Sequence, residues 1–150
     1  MTNDNVFIEQ RIIEAVKNHL TGRMNEIFSN WELLVPVIEF SGFEGRFAVA
    51  PVVAFSCCER TEKERIIRVD AYSLTVTFTL QEHDDGELFC YAYAAAFEKA
   101  LREDVTMGGI ADRTVITGKK YVQPKKANCG EGWGLMLSLR VTVEGTGNEG

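Results

Sequence analysis

Several groups of residues in this chain are of types that could do chemistry. Gly108 and Gly109 are adjacent in the stretch LREDVTMGGIAD, Leu101 to Asp112. A phosphate cradle needs its glycines after a strand and at the start of a helix, where backbone N–H groups converge on the anion. Here the order is reversed, with a helical pattern before the pair and a strand pattern after it. No Lys-Ser/Thr follows. The spacing fits a joint instead, because glycines reach positive φ and end a helix cleanly. Met107 and Ile110 are available to pin such a turn against a core.

Cys57 and Cys58 are also adjacent. Neighbouring residues on a strand point to opposite faces, so the two thiolates would not chelate one ion together. Zinc sites use CxxC pairs or a CxxC with a spaced His pair. His19 and His83, on a helix and in a polar break, supply no such spacing. Neither histidine lies in a hydrolase or transferase motif, so no catalytic residue, metal ligand or cofactor site is assigned. A Cys/His or Ser/His/Asp site assembled in space stays open. Asp84 and Asp85 read as helix caps rather than a catalytic carboxylate pair. Lys119, Lys120, Lys125 and Lys126, with Tyr121 among them, form a local basic cluster in an acidic chain. They suit a solvated hairpin end, or an arm docking on an acidic surface.

The elements that position these residues follow from periodicity. NVFIEQRIIEAVKNHLTGRMNEIF predicts a helix, with Ile8, Ile12, Val16, Leu20 and Met24 every fourth residue and Ile27 extending the stripe. Asn3 or Asp4 is its expected cap. Trp31 to Phe40 and Ala48 to Cys58 predict strands, with Pro36 and Pro51 favouring an edge. Ser41 to Phe47 and Cys58 to Arg65 predict exposed turns. In RVDAYSLTVTFTLQ, Tyr72, Leu74, Val76, Phe78 and Leu80 alternate with Ser73, Thr75, Thr77 and Thr79. This strand has one apolar face and one hydroxyl face, the latter suited to water or to a partner. ELFCYAYAAAFEKALRE predicts an alanine-rich helix with Leu88, Ala92, Ala95/Ala96 and Lys99/Ala100 along one side. Phe89, Tyr93 and Phe97 lie beside them, and Glu98 and Arg102 form an i,i+4 pair. Arg113 to Val122 and Leu135 to Val143 predict two further strands around a loop at Gln123 to Gly134.

This order implies an α+β domain: a mixed or antiparallel sheet of about four to five strands, with the N-terminal helix and the alanine-rich helix packed on it. Residues 1–150 read as one domain, with 145–150 a fraying tail. The net charge of −6 argues against tight gripping of a nucleic-acid backbone. MTNDNVFIEQ has neither the basic nor the apolar region of a secretory signal. No apolar run is long enough to span a bilayer. The expectation is a soluble cytosolic chain with reduced cysteines.

The segment ALREDVTMGGIADRTVITGKKYV, continued to LMLSLRVTV, resembles phage and prophage tail proteins of the tail-completion and tail-terminator type. In those proteins an alanine-rich helix ends in a D-x-T-[LM]-G-G turn, followed by an acidic step and a strand. Asp104, Thr106, Met107, Gly108, Gly109 and Asp112 occupy these positions here. The motif-level resemblance covers about the C-terminal third, and the rest is similar in element order. It implies a non-enzymatic protein without cofactors, acting in the host cytoplasm during assembly and in the virion tail. Such proteins form a homo-oligomeric ring, commonly of about six subunits, that terminates the tail tube and meets the head–tail connector. An acidic lumen would let DNA pass without specific binding. Candidate interface residues are Lys119, Lys120, Lys125 and Lys126, the hydroxyl row Ser73, Thr75 and Thr77, and the loop Gly42 to Arg46. Another head–tail joining or minor tail role, or an unrelated ligand-binding or enzymatic α+β domain, is the alternative.

Overall fold

The computed structural model describes residues 8–38, 48–49, 51–63, 67–81, 84–124 and 131–146. Asn3, Asp4, the Gly42–Arg46 loop, His83, Lys125, Lys126 and Cys129 lie outside them. The N-terminal helix runs as α1 (Ile8–Asn18), a π-helical segment (His19–Met24) and α2 (Asn25–Asn30). Its apolar stripe explains the irregularity. A repeat of four residues overshoots one α-helical turn by about 40° at each step. A wider π turn brings the stripe back into line. Ile12, Val16, Leu20, Met24 and Ile27 are all fully buried.

The strand expected over Trp31–Phe40 is not formed over residues 31–36; Val37–Ile38 forms β1, which pairs in parallel with β2 (Ala48–Val49), and residues 39–40 lie outside the described ones. The start of that run closes α2 instead. Glu32 takes φ 57, Leu33 N–H donates to the Phe28 carbonyl, and Glu32 N–H donates to that of Ser29. These two bonds, crossing at a left-handed residue, are a Schellman closure with glutamate in the place glycine usually takes. Pro36 lies beyond it, and its carbonyl accepts the buried Tyr93 hydroxyl at 2.7 Å. Asn25 pins β1 by donating to the Ile38 carbonyl and accepting its N–H, at 3.0 and 2.9 Å.

The main sheet has the order β3-β4-β6-β5 and is antiparallel throughout. It consists of β3 (Val52–Lys63), β4 (Ile67–Gln81), β5 (Arg113–Val122) and β6 (Glu131–Thr146). Pro51 immediately precedes edge strand β3, where a missing N–H costs no ladder bond. Two strands outrun their expected limits. Cys58–Lys63 continues β3, because its residues pair with β4 from Tyr72 to Ile67. β6 reaches Thr146, paired with Ile67, so the expected fraying does not begin at 145. It starts at Glu131, within the expected loop.

Helix α3 (Gly86–Glu103) lies on the sheet face formed by Leu74, Val76, Phe78, Leu135, Leu137 and Leu139, all essentially buried. Its buried side is aromatic and small: Phe89, Tyr93, Ala96, Phe97 and Ala100. Leu88, expected on the packed side, is 62% exposed. The three rings take the core-facing side, since each brings more apolar area than an alanine. Tyr93 stands between Phe28 of α2 and Phe78 of β4, with ring centroids at 5.5 and 5.0 Å. One continuous core therefore joins both helical layers to the sheet. The result is an α+β fold with helices on one face of a four-stranded antiparallel sheet.

Candidate interaction surfaces

The turn after α3 is built by two side chains. Asp104 accepts the Thr106 N–H at 3.1 Å and its hydroxyl at 2.6 Å through Oδ1, and the Gly108 N–H at 2.8 Å through Oδ2. Thr106 Oγ1 accepts the Gly109 N–H at 3.1 Å, and its carbonyl accepts the Ala111 N–H at 3.0 Å. Three consecutive residues are left-handed: Met107 (φ 52), Gly108 (φ 76) and Gly109 (φ 90). Two are glycines, for which this conformation carries no Cβ penalty. Met107 offsets its strain by burial, being 4% exposed. Asp112 N–H then donates to the Thr142 carbonyl at 2.9 Å and starts β5 in register with β6. The hydrogen bonds from Thr106, then that from Gly108, hold the Asp104 carboxyl below its usual range. Asp104, Thr106, Gly108 and Gly109 thus spend their polar groups on the turn, which is the joint the sequence indicated.

A second clasp stands beside it. Arg23, from the π segment, donates to both carboxylate oxygens of Glu103 at 2.5 and 2.8 Å and also to Glu26. Lys99 reaches Glu103 at 3.3 Å. The Arg23 bonds, foremost, hold the Glu103 carboxyl down at about 2. Above the joint an open cleft of about 470 Å³ is bordered by Arg11, Glu14, His19, Asp104, Gly108 and Ile110. Burial lowers the His19 pKa, against the opposing pull of Asp104 and Glu103. The cleft therefore gathers the His19 imidazole, the Arg11 cation and the Glu14 carboxylate, with Asp104 committed to the turn. Among the described residues no serine or cysteine lines it.

The hydroxyl row comes together as the alternation predicts. Ser73, Thr75 and Thr77 stand on the sheet face opposite the helices, half-buried, beside Arg140, Ser138 and Met136 of β6. The two described lysines of the basic cluster are separated by the strand pleat. Lys120 registers with Met136 and shares the hydroxyl face. Lys119 registers with buried Leu137 on the helix side and pairs with Glu98 at 3.2 Å. Glu98 therefore reaches across to β5, where an i,i+4 bond to Arg102 along the helix was expected. An exposed apolar stretch that periodicity concealed follows α2: Trp31, Leu33, Leu34 and Val37, with Leu34 85% exposed.

Cys57 and Cys58 are exposed on β3, and Cys90 is buried. Burial pushes the Cys90 thiol up to about 11 and raises that of Cys58. A raised thiol pKa lowers the reactive thiolate fraction. Asp85 precedes α3 but makes no side-chain cap bond. Among the described residues no three His, Cys, Asp or Glu side chains gather to hold a metal ion. No described helix is long and apolar enough to cross a membrane. No protein-family model matches the chain, and no curated protein matches it.

Proposed function

We propose that this chain is a structural subunit of a phage or prophage tail, forming an oligomeric ring that completes the tail tube and contacts the head–tail connector. The observation that carries this reading is the Asp104–Asp112 joint. An alanine-rich helix ends in D-x-T-M-G-G, and the turn passes directly into the penultimate strand of an α+β domain. The distribution of polar groups supports it. The polar side chains of the joint are used internally, while among the described residues nothing covers the hydroxyl face, the exposed Trp31, Leu33, Leu34 and Val37, or either outer edge of the main sheet. A ring needs two different surfaces on each subunit, and this fold offers several. A net charge of −6 suits a lumen through which DNA slides without being held.

Light scattering across a concentration series, alone and with tail-tube protein, tests the reading. Growth to a discrete oligomer, seen as rings by electron microscopy, is the expected result. A strict monomer under every condition would overturn it. The cleft at Arg11, Glu14 and His19 favours a second reading, a small ligand-binding or enzymatic domain. A ligand or turnover abolished by His19→Ala, in a chain that never assembles, would select that reading.

A further inference from the structure

Both outer strands of the main sheet are open: among the described residues no strand pairs with the outer edge of β3 or of β5. Open edges are templates for strand addition. The β5 edge carries a second feature. Between it and the end of α3 runs a groove of about 330 Å³, bordered by Glu98, Leu101, Arg102, Val105, Thr114 and Ile116. The Thr114 hydroxyl in this groove is buried and has no hydrogen-bond partner among the described residues. A buried, unpaired hydroxyl beside an open edge and an apolar trough is unfinished as a monomer surface.

Charge, direction and shape choose the occupant. β5, with the sequence RTVITGKKYV, holds three cations and no acid. Two copies of β5 side by side would oppose like charges. β3, VVAFSCCERTEK, balances its acids and bases and is 12 residues long against 10 for β5. Every neighbouring pair in the order β3-β4-β6-β5 is antiparallel, so β3 and β5 run in opposite directions. Sliding β3 of a second copy beside β5 continues the antiparallel sheet without reversal. The layers agree as well. Val53 and Phe55 register with buried Val76 and Leu74, so they lie on the helix side of the sheet, the side on which the groove opens. Both are only partly buried at the free edge.

We infer that β5 and its groove receive β3 of a second copy of this chain, with Val53 and Phe55 entering the trough. Such a contact is heterologous and repeats head to tail, so it closes into a ring when the rotation allows. It rests on the tail-assembly reading for its biological setting, and its chemistry is that of β-augmentation.

The test uses the full chain with Cys129→Ser and Arg113→Cys, the exposed β5 position that comes opposite Cys57 when Phe55 sits at the trough, treated with a bis-maleimide spanning about 10 Å, roughly two neighbouring strands. The thiol added on β5 should join the exposed Cys57 or Cys58 of the next copy and give a ladder of dimers, trimers and larger species. Adding Cys57→Ser and Cys58→Ser should remove the ladder. Thr117→Pro, at the irregularity between Ile116 and Gly118, places proline where an edge strand tolerates it. It should weaken self-association about tenfold while leaving the monomer folded by circular dichroism. Dimers that persist without Cys57 and Cys58 would mean β5 meets β5, and would overturn the inference. An oligomer by light scattering that shows no ladder would also overturn it, and would leave the tail-assembly reading standing. A strict monomer would overturn both.

Discussion

The two ends of α3 are each preceded or followed by an aspartate and a glycine, yet they are held by different physics. At the N-terminal end, Asp85 makes no side-chain cap bond. The helix start is positioned by close approach: a Cβ on Gly86 would stand 3.1 Å from Trp133 Cδ1 of β6. At the C-terminal end, Asp104 accepts three hydrogen bonds and two glycines are left-handed. One end is fixed by packing and the other by a polar network closed within six residues. The lesson is that a local network can be read from local sequence, whereas close packing requires knowing what lies opposite.

The contrast can be tested by breaking each end. Gly108→Val forces a β-branched residue to φ 76 and should cost about 3 kcal/mol, read as a lower urea midpoint at unchanged slope. Preserved stability with loss of assembly alone would show that the turn is a binding element instead. Asp104→Ala removes the acceptor of two backbone N–H groups and one hydroxyl. It should cost about 2 kcal/mol, discounted for the turn's exposure. Gly86→Ala should cost about 1 kcal/mol, because the Trp133 ring must move by a few tenths of an ångström. A loss exceeding that of Asp104→Ala would reverse the ranking of the two ends.

The smallest effect is pH-dependent and belongs to the C-terminal end. Glu103 is held at about 2, below its ordinary 4.5, chiefly by Arg23. The unfolded chain therefore binds more protons between these values. Its contribution is present in full above pH 4.5 and is lost as pH falls toward 2. Glu103→Gln should flatten that part of the stability profile in a series of acid titrations. An unchanged profile would show that the Arg23 clasp contributes nothing to the C-terminal end.

The joint was legible because its signal is local. Asp104, Thr106, Gly108 and Gly109 lie close enough to bond to one another, and left-handed glycines need no distant partner. The hydroxyl row was legible for the same kind of reason, since period-two alternation fixes which side chains share a face. The Trp31–Phe40 strand misled because β-branched and aromatic content signals burial more than conformation. There, Glu32 closes a helix and Pro36 serves as an acceptor for Tyr93. Of the two expected caps, Asp84 and Asp85, it is Asp85 that takes the N-cap position, without a side-chain cap bond, and the close approach of Gly86 to Trp133, 47 residues away in the chain, had no local signal.

By itself the amino-acid sequence determined the alanine-rich helix, the buried stripe of the first helix, the two faces of β4 and the chemistry of the joint. Each depends on residues within a few positions of one another, where backbone geometry dictates the neighbours. Only the tertiary structure decided that Lys119 turns to Glu98 while Lys120 lies on the hydroxyl face, and that Arg23 clasps Glu103. Those pairings join residues 21 to 80 positions apart. They were set by sheet register and by the way helix and sheet meet, which no local pattern encodes.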